Sequence, residues 1–327
     1  MPPSRVAVVL PAYNEEQTIQ DTMLSFSRVL PDAAIYVVNN NSRDRTRELA
    51  LDLLHRLGAR GAVIDEPRQG KGNALRRAFM EIDADVYLLA DADMTYPADR
   101  APDLIAPILN GQADMVVGDR QSGGHYSREN RRSFHELGNR LVQSLVNGLF
   151  GASLIDIMSG YRAFSRSFVK SYPILVEGFQ IETDMTLHAL YRRFRILELP
   201  IEYRDRPPGS HSKLNTFADG ARVLFAITQI LRFYRPLFFF SAVAGLSALA
   251  GLIAGLPVFH DYLTTGYIEH VPLAILASAL EIVAIIMLGV GLILDSVSYH
   301  ERLGYERRLL DQSCDERNRP PEMRQAT

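Results

Sequence analysis

The sequence predicts an α/β fold with a doubly wound, mostly parallel β-sheet, followed by a C-terminal third that enters a membrane. Two observations predict the sheet: short apolar runs alternate with stretches of helical periodicity over residues 6–118, and each run leads into a polar cluster. A third observation, two long apolar stretches near the C-terminus, predicts membrane-spanning helices.

The strands are predicted from apolar runs at residues 6–10, 34–38, 62–64, 85–90 and 114–118. The helices between them are predicted at residues 14–29, 45–57, 70–82 and 102–109. Asn14 is the predicted N-cap of the first helix. The run at residues 6–10 is too short for the apolar core of a signal peptide, which favours a strand. Because the carboxyl ends of parallel strands share one edge of a sheet, the polar clusters are expected to converge on one crevice.

Composition narrows the class of protein. The chain has 327 residues, a net charge of −3, one cysteine and no tryptophan. The length suffices for one full α/β domain with additional elements. Cys314 stands alone, so no disulfide framework is expected. A near-neutral charge without a long basic cluster argues against nucleic acid as the main partner.

Asp91-Ala92-Asp93 follows the apolar run at residues 85–90 and is the centre of the predicted site. Carboxylates at i and i+2 lie on the same side of a strand, here at its carboxyl end. Two hard oxygen ligands suit Mg²⁺ or Mn²⁺, which in turn bind phosphate oxygens. Such a pair can also be a simple loop cap, and the convergence of the other polar clusters favours the metal interpretation.

Gly70-Lys71-Gly72 allows backbone and an ammonium group to approach a phosphate closely. The spacing of a P-loop is absent here, and no dinucleotide-binding glycine pattern follows the first strand. The combined pattern predicts a nucleotide-diphosphate site with a divalent metal, and argues against hydride transfer and kinase chemistry.

These motifs resemble glycosyltransferase family two, which has the GT-A fold, and in particular its dolichyl-phosphate mannose and glucose synthases. The resemblance covers residues 5–219. The family's P-x-Y-N-E is present as Pro11-Ala12-Tyr13-Asn14-Glu15, and the resemblance implies that it holds the base and ribose of the donor. The family's D-D-G-S-x-D appears as Asn39-Asn40-Asn41-Ser42-Arg43-Asp44, with amides at the two leading carboxylate positions.

The resemblance also assigns roles around the metal. Lys71, Asp91, Ala92 and Asp93 are expected to contact the nucleotide sugar together with Asn39 and Asn41, and Asp91 and Asp93 to bind the metal. An aspartate at position 39 would accept a hydrogen bond from an imide N–H, whereas an asparagine can accept or donate.

The acceptor side is predicted from three further segments. Residues 156–162 resemble the family's D-x-x-S-G-[FY]-R, and residues 178–184 its G-F-x-x-E-T-E, with Asp184 at the last position. Residues 199–214 are similar to P-I-x-Y-R followed by G-x-S-K-L. The predicted acceptor-phosphate residues are Ser159, Arg162, Arg204 and Lys213. The predicted catalytic residues are Asp93, Arg120, Glu182, Arg204 and Lys213, with the role of Glu182 left open between base, orienting group and structural partner.

The resemblance implies inverting transfer of one sugar from a UDP- or GDP-sugar to a polyprenyl phosphate. A phosphate monoester is already a nucleophile near neutral pH, so alignment and charge neutralisation would suffice without a strong base. A polysaccharide synthase of the same fold is one alternative, but its Gln-x-x-Arg-Trp motif needs a tryptophan that this chain lacks. A second alternative is a non-catalytic nucleotide-sugar-binding membrane protein, and the intact D-x-D argues against it. A third is a nucleotidyltransferase, and the absence of a G-x-G-x-R loop argues against that class.

The C-terminal third predicts membrane association. Four segments are expected: a catalytic domain at residues 1–215, an interfacial helix at 216–235, a transmembrane hairpin at 236–298, and a partly disordered tail at 299–327. A packed core helix is the alternative for residues 217–234. Basic residues flank the hairpin and are absent from its connecting loop, which predicts a multi-pass protein of the inner (cytoplasmic) membrane with the catalytic domain and tail on the cytoplasmic side. Small residues in the spans are compatible with a homo-oligomer.

Overall fold

The computed structural model describes residues 5–122, 133–176, 181–203 and 227–318, with backbone alone at 133–139 and 308–318. The chain divides into two compact units, Met1–Gly220 and Ala221–Thr327. The predicted boundary at residues 215 and 216 lies outside the described ranges and stays a prediction.

The first unit contains a seven-stranded sheet. Its strands are β1 (Val6–Ala12), β2 (Ala34–Asn39), β3 (Gly61–Asp65), β4 (Val86–Leu89), β5 (Met115–Asp119), β6 (Arg162–Ser165) and β7 (Ile196–Pro200). Their order in the sheet is β3-β2-β1-β4-β6-β5-β7. Only β6 runs antiparallel to its neighbours, β4 and β5. The mostly parallel sheet is confirmed, and its first five strands fall on the predicted runs, whereas β6 and β7 were not predicted.

Seven α-helices are described in this unit. They are α1 (Ile19–Val29), α2 (Thr46–Leu57), α3 (Lys71–Glu81), α4 (Ala101–Leu109), α5 (Ser133–Phe150), α6 (Arg166–Ser171) and α7 (Ile181–Tyr191). Successive residues of β1 enter two different cores: Val8 and Leu10 pack in one, and Ala7 and Val9 in the other. This alternation buries both faces of the sheet, as expected for parallel strands, and leaves the strand ends as the place for a site.

The prediction that Asn14 caps the first helix is wrong. The helix α1 begins at Ile19, and Asn14 has a left-handed backbone with φ of 55°. The Asn14 N–H donates to Ser42 Oγ at 3.1 Å, and Asn14 Oδ1 accepts from the Arg43 N–H at 2.8 Å. Asparagine tolerates this backbone conformation, and here its polar groups join the loop after β1 to the loop after β2.

The position of β6 brings a distant segment to the crevice. In the register of the sheet, Arg162 at the start of β6 pairs with Leu89 of β4 and Val117 of β5. Because β6 is antiparallel, it begins at the edge where the parallel strands end. Residues 156–161 therefore arrive at the same edge as Asp91 and Asp93.

The second unit is described from residue 227. Residues 227–234 are helical, and two long helices follow, α8 (Pro236–Thr265) and α9 (Val271–Asn318). Both long helices are long and apolar enough to cross a membrane, by length and composition. The Ser247 hydroxyl of α8 donates to the Leu280 carbonyl of α9 at 2.8 Å. Glu281 Oε1 lies against Gly251 and has no hydrogen-bond partner within the described part of the chain.

In the C-terminal tail, the helix α9 continues past the apolar run to Asn318. The expectation of a partly disordered tail at residues 299–327 stays a prediction. The polar extension is rich in Glu, Arg and Leu, which favour helix, and it contains no proline before residue 320. Residues 319–327 lie outside the described residues, as do residues 216–226 of the predicted interfacial helix.

Candidate active site

Lys71 joins three of the predicted motifs. It is the first residue of α3, and its Nζ lies 2.5 Å from Asp91 Oδ1 and 2.6 Å from Glu182 Oε1. Burial of this side chain, which is 9% exposed, disfavours the ammonium, but the two carboxylates outweigh burial and raise the pKa of Lys71 above its ordinary value. The group is therefore a permanent cation at the centre of the crevice.

Gly160 brings the segment before β6 into contact with this cluster. A Cβ atom at Gly160 would lie 3.0 Å from both Asp91 Oδ2 and Lys71 Nζ, and 3.2 Å from the Tyr96 hydroxyl oxygen. The Gly160 N–H donates to that same hydroxyl oxygen at 2.9 Å. A side chain at this position would press on the polar ends of Asp91 and Lys71, which would have to shift by a few tenths of an ångström.

The turn that carries the two aspartates is held from both sides. Asp93 is 2% exposed, and its Oδ1 accepts from the Thr95 hydroxyl at 2.6 Å and from the Thr95 N–H at 3.2 Å. The carbonyl of Ala92 accepts from the hydroxyls of Thr18 and Thr22, at 2.8 and 3.1 Å. Sequence reasoning missed both threonines, since a hydroxyl on the apolar side of a helix gives no signal of what it meets.

The donor set fits a divalent metal. Asp91 and Asp93 offer hard carboxylate oxygens from one turn, and the contacts of Thr95 with Asp93 are the kind that orient a ligating carboxylate. No group of three or more His, Cys, Asp or Glu residues that could hold a metal occurs among the described residues. Two protein carboxylates, completed by phosphate and water oxygens, are the usual way in which Mg²⁺ is held at nucleotide sites.

The loop before Lys71 is fixed by Asn40. Gly70 has φ of 137°, and its N–H donates to Asn40 Oδ1 at 2.7 Å. Asn40 Nδ2 donates to the Arg68 carbonyl at 2.7 Å, so both ends of this amide hold the loop. The second amide of the Asn39-Asn40-Asn41 segment is therefore a structural support for Lys71.

Arg120 lies at the end of β5 and forms a bidentate pair with Asp156. Its Nε is 2.7 Å from Asp156 Oδ2, and its Nη2 is 2.9 Å from Asp156 Oδ1. Burial would raise the pKa of Asp156, but the hydrogen bonds of Arg120 outweigh burial and lower it. Glu198 of β7 accepts from the Asp156 N–H at 2.8 Å, which fastens this pair to the sheet.

Arg162 and Ser159 do not reach the surface of the crevice. Both are 0% exposed. The Arg162 guanidinium donates to the carbonyls of Ser159 and Ile157, each at 2.7 Å, and to Thr186 Oγ1 at 2.8 Å. Their prediction as acceptor-phosphate ligands disagrees with this burial, because the donors of Arg162 hold the turn that presents Gly160. We therefore revise their role to positioning that turn.

The remaining predicted residues are placed as follows. Pro11, which is half-buried, and Ala12, which is buried, are the last two residues of β1; Tyr13 and Glu15 after it are half-buried, and Asn14 is exposed. Asn41 is exposed after β2, and Asn39 is buried at its end. Arg204 and Lys213 lie outside the described residues. The structure thus brings together Lys71, Asp91, Glu182 and the Gly160 turn, with Asp93 in the adjoining turn.

Comparisons with known proteins identify the family. The model of the family described as glycosyl transferase family 2 matches residues 7–172. Glycosyltransferase AglJ of Haloferax volcanii is 31% identical over 90% of this chain and 94% of its own length. The dolichyl-phosphate hexose transferase of the same organism is 32% identical over 69% of this chain and 93% of its own length.

A solved structure is similar in fold. The glucosyl-3-phosphoglycerate synthase of Mycobacterium tuberculosis, in complex with Mn²⁺ and uridine-diphosphate-glucose, superposes with a TM-score of 0.52 at 25% identity. The superposition covers 70% of this chain and 78% of the synthase chain. The chain belongs to glycosyl transferase family 2, and it is a glycosyltransferase with a GT-A fold.

Proposed function

We propose that this glycosyltransferase moves one sugar, with inversion, from a nucleotide-diphosphate sugar to a polyprenyl phosphate at a membrane. The observation that carries the proposal is the contact of the Gly160 turn with Lys71 and Asp91, because it joins the segment expected on the acceptor side to residues expected to hold the donor. The name of the Haloferax dolichyl-phosphate hexose transferase supports a polyprenyl acceptor. The two apolar helices support a membrane location, since an anchored enzyme suits an acceptor that cannot leave the bilayer.

The reaction needs few groups. An oxygen of the acceptor phosphate attacks the anomeric carbon, the bond from that carbon to the donor diphosphate breaks, and the electron pair leaves with the nucleoside diphosphate. The acceptor oxygen is ionised beforehand, so no proton has to be removed. Lys71 is placed to hold the departing diphosphate, because its ammonium already lies beside Asp91 at the predicted phosphate position.

A divalent ion would be held by Asp91 and Asp93, and when bound it would neutralise charge on the diphosphate. Glu182 serves as a counter-ion of Lys71 in this scheme. Arg204 and Lys213 are proposed to bind the acceptor phosphate. The flanking basic residues favour a multi-pass protein with the catalytic unit and the tail on the cytoplasmic side.

The test is transfer of radiolabelled sugar to short-chain polyprenyl phosphate by the detergent-solubilised full chain. UDP-glucose, UDP-GlcNAc and GDP-mannose are offered in parallel, with Mg²⁺, with Mn²⁺ or with EDTA. We expect metal-dependent label in the lipid from one donor, abolished in Asp93→Asn and kept in Asp103→Asn, whose carboxylate pairs with Arg100 on a surface helix. In a parallel reaction, 3-phosphoglycerate is offered as the acceptor. If it is labelled and the lipid is not, the proposed lipid acceptor is wrong. Donor binding without any transfer would favour a non-catalytic binding protein.

A further inference from the structure

Asn39 and Asp65 are partners across two strands. They occupy paired positions at the carboxyl ends of β2 and β3. Asn39 Nδ2 donates to Asp65 Oδ1 at 2.8 Å, and Asn39 Oδ1 accepts from the Ser42 N–H at 3.2 Å. The amide therefore has one orientation, because reversing it would place oxygen against a carboxylate and nitrogen against an N–H. An aspartate at position 39 would place two carboxylates against each other.

The two side chains differ in what they leave available. Asn39 is buried at 8% exposure, with both ends of its amide in contact. The Asp65 side chain is 48% exposed, and Arg47 Nε donates to both of its oxygens, at 3.0 Å from Oδ1 and 2.9 Å from Oδ2, which leaves further lone pairs on the exposed face of the carboxylate. At this carboxyl end of the sheet, the accessible carboxylate is therefore that of Asp65 on β3, and Asn39 on β2 orients it.

The position of this pair relative to the diphosphate site follows from the order of the strands. Asp91 and Asp93 follow β4, and β1, β2 and β3 lie in succession beside β4. With neighbouring strands about 4.8 Å apart, β2 and β3 lie roughly 10–14 Å from β4, a span that suits a nucleoside. On the other side of β4, the start of β6 is occupied by buried Ser159 and Tyr161. A donor whose diphosphate lies at Asp91 and Asp93 therefore extends its base toward β2 and β3.

We propose that Asp65, oriented by Asn39, reads the nucleobase of the donor by accepting a hydrogen bond from a ring N–H. The inference rests on the proposed function, because it takes the diphosphate position from it. Uracil and guanine present a ring N–H on their pairing edge, whereas cytosine and adenine present an unprotonated ring nitrogen there. A carboxylate acceptor favours the first two bases, because the ring nitrogen of cytosine or adenine has no proton to donate to it. Asp65 is the recognising group and Asn39 the positioning residue.

The test measures binding of UDP, GDP, CDP and ADP to the detergent-solubilised full chain by calorimetry with Mn²⁺, without lipid or sugar. The parent chain is expected to prefer UDP or GDP. Asp65→Asn is expected to weaken binding of the preferred nucleotide about tenfold, which is the effect of losing one charge-assisted hydrogen bond. The difference in affinity between that nucleotide and CDP or ADP should become smaller. The matched control is Asp52→Asn, whose exposed carboxylate pairs with Arg56 on α2.

The exchange of the two residues adds a second readout. Asn39→Asp alone should weaken binding through repulsion with Asp65. Asn39→Asp combined with Asp65→Asn should relieve that repulsion without restoring the base preference, because position 39 is buried. Equal binding of all four nucleotides by the parent, or an unchanged preference in Asp65→Asn, overturns the inference while leaving sugar transfer intact. If the parent binds no nucleotide and transfers no sugar, the proposed function fails and the inference fails with it.

Discussion

The ammonium of Lys71 lies 2.6 Å from Glu182 Oε1, so the carboxylate expected near the acceptor is already bound to the lysine of the G-K-G loop. The same ammonium contacts Asp91 at 2.5 Å. Two carboxylates thus share one buried cation. Binding of a metal and a diphosphate must therefore break or change the ion pairs that Lys71 makes with Asp91 and Glu182.

Removing the Lys71 ammonium should destabilise the protein strongly. Lys71→Met leaves Asp91 and Glu182 without their shared cation, at a cost of about 3–5 kcal/mol and a fall in Tm of roughly 10 °C. Thermal melting of the full chain in detergent measures this. Arg56→Met is the matched control, since its partner Asp52 is exposed and such surface pairs contribute less than about 1 kcal/mol. Equal shifts for the two variants would contradict a shared-cation role.

Glu182→Gln should lower the rate without changing the shape of its pH dependence. An ionised phosphate needs no base, and Glu182 acts on Lys71 through a contact that glutamine partly keeps. Single-turnover transfer rates from about pH 5.5 to about pH 8.5 would measure this in the parent and the variant. Loss of an ascending limb in Glu182→Gln alone would identify Glu182 as a base instead.

Gly160→Ala should impair nucleotide binding more than folding. Its Cβ would lie 3.0 Å from Asp91 Oδ2 and Lys71 Nζ, so these polar ends must shift by a few tenths of an ångström. We expect roughly tenfold weaker binding of the donor with a Tm change below about 3 °C. Gly148→Ala in α5 is the control, because a methyl group added there would meet no atom within 4 Å. Parent-like donor binding by Gly160→Ala would count against the proposed crevice.

Thr95→Val should weaken metal binding. The Thr95 hydroxyl donates to Asp93 Oδ1 at 2.6 Å, and loss of an outer contact of this kind lowers metal affinity by about 10–100-fold. Titration of Mn²⁺ by electron paramagnetic resonance measures the affinity directly. Thr95→Ser keeps the hydroxyl and should bind Mn²⁺ as the parent does. If serine and valine behave alike, the hydroxyl does not orient Asp93.

Acid should destabilise the catalytic unit through His188. Burial, reinforced by the charge of nearby Arg192, lowers the pKa of His188 to about 4 from an ordinary value of 6.5. Between these values the unfolded state binds a proton that the folded state does not, so stability is lost as pH falls from 6.5 to 4, by about 2–3 kcal/mol. Burial raises the pKa of Asp184, so its contribution has the opposite sign. Thermal melts should show less acid sensitivity in His188→Phe; an unchanged dependence would exclude His188 as its source.

The strands β1, β2, β4 and β5 were predicted because their burial leaves apolar runs in the sequence. The strand β6 escaped because it begins with a buried arginine and has only two apolar residues, Ala163 and Phe164. Nothing local in Arg162 shows that backbone carbonyls and a threonine will satisfy its guanidinium in the core.

Motif resemblance identified Lys71, Asp91 and Glu182 individually, but their meeting depends on how α3, β4 and α7 pack. The Asn39–Asp65 contact likewise depends on the register of β2 with β3, which sequence spacing leaves undetermined. Sequence motifs therefore nominate candidate residues one by one, whereas the contacts among these residues are given by the fold.

The antiparallel strand β6 also has a consequence for biosynthesis. The strands β4 and β5 are joined through β6, which hydrogen-bonds to both, and β7 then completes the far side of β5. A nascent chain that ends before Arg162 carries Asp91 and Asp93 on an open sheet border, and Glu182 emerges later still. These contacts are distant in sequence, and such contacts form slowly. The cluster of Lys71, Asp91 and Glu182 is thus complete only once the chain has been made past residue 182, well after the first five strands.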